Sequence, residues 1–155
     1  MGIVLKPPAP LRLDGSLPSV FLAGSIDMGA AVDWQAWFGQ SLLDLPVVVL
    51  NPRRDAWDPA WAQSMGDANL RAQVEWELAA QEQATWIAMY FSAASKAPIT
   101  LLELGLFARS GKIVACCDDG FWRKGNVEIT CARYGVLLVP TLDALLEEIR
   151  GRIGA

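Results

Sequence analysis

The sequence predicts a single α/β domain built on a parallel sheet, and three observations carry that prediction. Five short apolar runs, too evenly hydrophobic for a sheet with one wet face, alternate with segments of helical character. The connections between the runs are long enough to hold crossover helices, as parallel strands require. At 155 residues the chain suits one full core and is short for two domains of ordinary size.

Residues 1–18 hold four prolines and little periodicity, and they read as a proline-rich arm lying over the domain outside the sheet. The domain proper spans 19–155. Ser19-Val20-Phe21-Leu22-Ala23 is a strand covered on both faces and closed by Gly24-Ser25. Asp33 is placed to cap a helix running to about Leu43, with Trp34, Trp37, Phe38 and Leu42 at helical spacing. Pro46 to Leu50 is the second strand, stopped by the turn signal Asn51-Pro52. The Trp- and Asp-containing loop from Arg53 to Gly66 is longer than such connections usually are, which points to function.

A helix from about Asp67 to Gln83 leads to a central third strand, Thr85 to Phe91. Ser92 to Pro98 is a loop of small residues, Ile99 to Ser110 a helix, and Gly111 its terminator. Lys112 to Cys117 is the fourth strand, a loop over 118–125 precedes a short helix near Asn126 to Tyr134, Gly135 to Val139 is the fifth strand, and Leu142 to Ile153 the closing helix. Five strands with helices on both faces fit the flavodoxin-like (Rossmann-like) order 2-1-3-4-5. In such a sheet ligands sit beyond the carboxyl ends of the strands, so the segments to search are Gly24–Ala30, Asn51–Asp58, Ser92–Glu103 and Cys117–Asn126.

Composition narrows the classes of function. Hydrophobic residues make up 53% and charged residues 19%, a mixture that folds and leaves a sparsely charged surface prone to self-association. A formal charge of −4 with no run of Lys or Arg gives no footprint for a nucleic-acid polymer. No signal peptide or stretch of membrane-spanning length is present, so a cytoplasmic location is expected. The three cysteines, Cys116, Cys117 and Cys131, read as reduced core thiols, and with no His in the chain a Cys/His zinc site is not expected.

The residues that could carry chemistry are few. Glu103, in Pro98-Ile99-Thr100-Leu101-Leu102-Glu103-Leu104-Gly105, is expected in the first turn of a helix entered from the third strand, where the helix dipole favours an ionised carboxylate suited to nucleophilic attack. Thr100-x-x-Glu103 also has the pattern of a capping box, a purely structural role. Glu75 and Glu77 lie two apart on the preceding helix and point in nearly opposite directions, so only one of them can face a site. Gly24-Ser25, ahead of a helix, could bring backbone amides to a ligand, while Asp27 sets a negative charge there that favours an uncharged sugar over a phosphate. No dinucleotide-binding or P-loop fingerprint occurs. Trp57, Trp61 and Trp122 fall in or beside loops, where they could stack on bases or pack onto the core, and Arg53, Arg54, Arg123 and Lys124 read as solvated.

Taken together, Phe21-Leu22-Ala23-Gly24-Ser25-Ile26, Asn51-Pro52-Arg53, Thr85 to Phe91 ahead of Leu101-Leu102-Glu103-Leu104-Gly105, and Gly125-Asn126-Val127-Glu128 resemble the nucleoside 2-deoxyribosyltransferase-like proteins, from about residue 19 to 140. The resemblance implies an enzyme acting on a nucleoside or nucleotide, with no metal or organic cofactor, that transfers the sugar to another base or to water. It implies that Glu103 is the nucleophile and that Glu77 exchanges a proton with the leaving base. Gly24, Ser25, Asp27, Asn51 and Asn126 then shape the substrate site. It further implies a homo-oligomer in which Asn126 completes a neighbour's site. Where the transferases carry an Asp six residues before the nucleophile, this chain has Ala97. That departure leaves a non-catalytic nucleoside- or nucleotide-sensing module as the alternative, and a partner surface built on the loop tryptophans as a further one.

Overall fold

The structure is a computed structural model that describes residues 1–27, 30–55 and 57–154. It contains, in chain order, β1 (Ile3–Leu5), β2 (Ser19–Gly24), α1 (Trp34–Gln40), β3 (Val48–Leu50), α2 (Ala68–Gln83), β4 (Trp86–Phe91), α3 (Pro98–Phe107), β5 (Ile113–Cys117), α4 (Lys124–Tyr134), β6 (Leu137–Val139) and α5 (Leu142–Gly154). The expected segments Gly24–Ala30 and Asn51–Asp58 include Met28, Gly29 and Ala56, which lie outside the described residues.

The six strands form one sheet in the order β1-β3-β2-β4-β5-β6, and every neighbouring pair is parallel. The last five strands in the chain reproduce the expected 2-1-3-4-5 order. The sixth strand corrects the reading of residues 1–18: Ile3, Val4 and Leu5 pair with Val48, Val49 and Leu50 as an edge strand, before the prolines begin. An edge strand needs only one neighbour and can end at a proline, so the run Ile3-Val4-Leu5 was long enough to join the sheet.

Alternate side chains on the strands feed two cores. Phe21, Ile87, Met89, Phe91 and Ala115 pack toward Ala80, Leu104, Val127 and Cys131 of α2, α3 and α4. Val20, Leu22, Ala88 and Val114 pack toward Phe38 of α1 and Leu145 and Ile149 of α5. Burial of β5 throughout, and of β2 and β4 on both faces except at Gly24, Trp86 and Tyr90, explains why their sequences show no period-two alternation. The helix signals act as expected at several ends. Asp33 accepts a hydrogen bond from the Ala36 amide, Asp67 accepts from the amides of Asn69 and Leu70, and Gly111 takes a left-handed φ of 76° just after the last turn following α3.

Helix α3 departs from its expected start. It begins at Pro98, one residue early, because proline's fixed φ suits the first helical position. Its N-cap is Ala97, in the left-handed region at φ 47° with no side-chain capping bond. Glu103 therefore sits in the second turn and not the first. The capping-box reading fails with it, since Thr100 is inside the helix and not at its cap.

Candidate active site

The chain order of the sheet reverses between β2 and β4, and a cavity of about 520 Å3 opens beyond their carboxyl ends on the side covered by α2 and α3. Ser25 and Asp27 reach it from the end of β2, Pro52 and Trp57 from the segment after β3, Gln73 and Glu77 from α2, and Ala97 and Glu103 from the start of α3. Leu70, Val74, Leu78, Ile99, Leu102 and Leu106 give it an apolar wall.

Two carboxylates stand at its base. Glu103 is only 5% exposed, and its Oε2 accepts a 2.7 Å hydrogen bond from Nε2 of Gln81. Glu77 is half-buried, and its Oε2 accepts a 2.8 Å bond from Nε2 of Gln73. That amide also donates to the Pro52 carbonyl oxygen at 2.9 Å, while its own oxygen accepts from Nε of Arg54 at 2.9 Å. Burial raises the Glu103 pKa to about 8, with the Glu77 charge adding to the rise and the Gln81 bond opposing it. Burial likewise raises Glu77 to about 7, against the bond from Gln73 and the charge of Arg54. The expectation that the helix dipole would keep Glu103 readily ionised is thus corrected, because the carboxylate lies beyond the first turn, where the dipole is weak, and is buried beside a like charge.

A second polar group lines the mouth. Ser25 Oγ donates to Ser95 Oγ at 2.6 Å, and Ser95 Oγ lies 3.1 Å from both Asp27 Oδ2, to which it donates, and the amide nitrogen of Ala97, from which it accepts. Asp27, at φ 50°, shares with Ala97 the left-handed backbone that non-glycine residues rarely adopt. Gly24 lies at the cavity with no room for a side chain of its own, and the helix ahead of it, α1, begins at Trp34 after the expected cap at Asp33. What Gly24 admits instead is the Trp34 ring on the opposite side of the sheet, whose atoms a Cβ would approach to 2.5 Å.

The model of the nucleoside 2-deoxyribosyltransferase-like proteins matches residues 17–121, more than half of the sequence and every segment that lines this cavity. The chain belongs to that family. No curated protein matches it at a significant level. Two of the residues that the resemblance implies for this nucleoside 2-deoxyribosyltransferase-like protein stand away from the chain's own cavity. The match ends before Gly125-Asn126-Val127, and Asn126 is an exposed residue of α4 that does not line the chain's own cavity. Asn51 is buried at 5% exposure, but its Oδ1 accepts from the Arg53 amide at 3.0 Å to hold the turn after β3, and it too is absent from the cavity lining.

The structure brings together Gly24, Ser25, Asp27, Glu77 and Glu103, and it adds Gln73, Gln81, Ser95, Arg54 and Trp57 to the same neighbourhood. Arg53 and Arg54 are not solvated as expected: Arg53 is 9% exposed and donates to the Ala31 carbonyl oxygen, and Arg54 stacks over Trp61 with its guanidinium carbon 4.6 Å from the ring centre. Trp57 faces the cavity, Trp61 packs against it, and Trp122 is half-exposed between Lys96 and Arg123. Glu75 is exposed, as one of the pair with Glu77 had to be. Gln73, Glu77 and Gln81 recur every fourth residue of α2, a polar stripe at helical spacing that the sequence displays and that marks the face turned to the site.

Proposed function

We propose that this chain cleaves the N-glycosidic bond of a nucleoside by double displacement through a glycosyl ester on Glu103, passing the sugar to another base or to water. The observation that supports it most is the pairing at one cavity of two carboxylates with raised pKa values, Glu103 buried and Glu77 half-buried, one on each of two helices. Burial of both groups, and for Glu103 the Glu77 charge, raise their pKa values toward neutrality, so the pair shares protons near neutral pH, and the form with Glu103 ionised and Glu77 protonated supplies a nucleophile and an acid at once. In the first step a Glu103 oxygen bonds to the anomeric carbon while the carbon–nitrogen bond breaks through an oxocarbenium-like state, and the departing base takes its proton from Glu77. In the second, Glu77 removes the proton of an incoming base or water, which bonds to the anomeric carbon as the ester to Glu103 breaks.

The cavity volume falls within the range of roughly 300–1,000 Å3 usual for small-molecule sites. Ser25, Ser95 and Asp27 offer hydroxyls and an anion that suit sugar hydroxyl groups and disfavour a phosphate, which makes the free nucleoside the better substrate. Trp57, Leu70 and Val74 offer an apolar wall for the face of the base. Val74, Ile99, Leu102 and Leu106 remain 44%, 57%, 59% and 55% exposed around the opening, an apolar rim suited to cover by a second copy of the chain in the homo-oligomer that the resemblance implies, with Asn126 assigned by that resemblance to a neighbour's site. Among the described residues no helix is long and apolar enough to cross a membrane, and the three buried free thiols suit a reducing, cytoplasmic compartment.

The test is to incubate the protein with each 2′-deoxynucleoside, with and without a second base, beside Glu103→Gln, and to separate the products by chromatography. Release of base or formation of a new nucleoside by the wild type alone is the expected result. Ala97, in a position where the resemblance implies an Asp, favours a second reading as a nucleoside-sensing module. Ligand-induced stabilisation without turnover would establish that reading instead.

A further inference from the structure

Gln81 is fully buried on α2 and does not line the cavity, yet it holds the carboxylate that does. Its Nε2 donates to Glu103 Oε2 at 2.7 Å and to the backbone carbonyl oxygen of Glu77 at 3.1 Å. The cost of this arrangement is visible at the other end of the amide, where the buried Oε1 has no hydrogen-bond partner among the described residues. A methionine of similar volume would fill the space without an unmatched acceptor, so packing alone does not explain a glutamine here. Its two donor bonds span the backbone of one acidic residue and the side chain of the other.

We propose that Gln81 is the positioning residue of the site: it fixes the Glu103 carboxylate against the backbone of α2, the helix that carries Glu77, and, by tying down Oε2 of Glu103, leaves Oε1 as the oxygen that attacks. The role of the attacking oxygen rests on the function proposed above, whereas the positioning of Glu103 does not. Glu77 on α2, Asp27 after β2 and Arg54 after β3 are the charged groups set around Glu103 and its partner. Gln81 supplies the neutral donor that favours the ionised nucleophile without cancelling the charge it must deliver.

The deciding measurement is a carbon NMR titration of the Glu103 carboxyl in the ligand-free protein, with Glu103→Gln identifying the signal, compared between wild type and Gln81→Met. Loss of the donor is expected to move the midpoint up by about one pH unit. In turnover of 2′-deoxynucleosides, kcat is expected to fall about ten- to a hundredfold with KM changed less than about threefold, and the acid limb of the kcat profile should move in the same direction as the titration. If Gln81→Met does not fold, Gln81→Asn, whose amide is too short to reach both partners, gives the same readings. An unchanged Glu103 midpoint in either folded variant overturns the proposal. Absence of turnover in the wild type would remove the proposed function but leave the titration to decide whether Gln81 controls Glu103.

Discussion

The two sides of the sheet meet the same strand ends and treat them in opposite ways. On the α1 side, Trp34 fills the space beside Gly24 and packs edge-on against Phe38 and Tyr90, with ring centres 5.6 and 5.4 Å apart. Tyr90 there donates to Asp118, and burial, with that bond and charge adding to it, pushes the phenol up to about 12, far from any useful titration. On the α2–α3 side, small residues, Ala23 and Ala97, stand where the other side has an indole, and the space they leave is the cavity. The strand switch point offers a crevice on both sides, and residue size decides which one receives a ligand. Titratable groups then follow the space: Glu77 and Glu103, on the open side, have pKa values raised toward neutrality.

That contrast can be broken most severely at Glu103. Glu103→Gln is expected to lower glycosyl release at least about a thousandfold, checked by product chromatography, while circular dichroism remains unchanged. Glu77→Gln removes the proton donor but leaves the nucleophile, so a loss of about ten- to a thousandfold is expected, smallest for bases that leave readily unprotonated. The same variant should remove the alkaline limb from the pH profile of kcat/KM. On the sealed side the expected effect is on stability alone. Phe38→Ala removes a fully buried ring that packs edge-on against Trp34 and should cost about 3–5 kcal/mol in a denaturant melt, with KM little changed.

The smallest effect expected is on the dependence of stability on pH. Glu77 and Glu103 have folded-state pKa values of about 7 and about 8 against an ordinary value of 4.5, so between these limits the folded protein holds protons that the unfolded chain has released. Their contribution is fully present below pH 4.5 and is lost as pH rises through about 7 to 8. The melting temperature of the wild type should fall by a few degrees over that window, and Glu103→Gln, which is never charged, should fall less. An equal slope in the two proteins would show that Glu103 is ionised throughout.

Much of this was legible beforehand, and the exceptions share a cause. Strands β2, β4 and β5 announce themselves because burial on both faces demands an unbroken apolar run, and the caps at Asp33 and Asp67 because orphan amides demand an acceptor. The prolines of residues 1–18 obscured β1, whose three residues pair on one side only. Glu103 could be singled out from its place after β4, but its protonation could not, since that depends on Glu77 and on burial created by a helix of distant sequence. The stripe Gln73-Glu77-Gln81 is present in the sequence but does not stand out there, because glutamines on a helix usually face water. Asn51 illustrates the converse, a short motif that names a residue without fixing its surroundings.

Asp27 and Ala97 flank the cavity in a backbone conformation that costs most side chains about 1–2 kcal/mol, and neither is glycine. A selection for heat tolerance would therefore find easy gains at these two positions, since glycine relieves the strain at once. The winners of such a selection would be hardier proteins with a slacker rim around the two carboxylates. Breeding this chain for endurance and breeding it for chemistry pull on the same two residues in opposite directions.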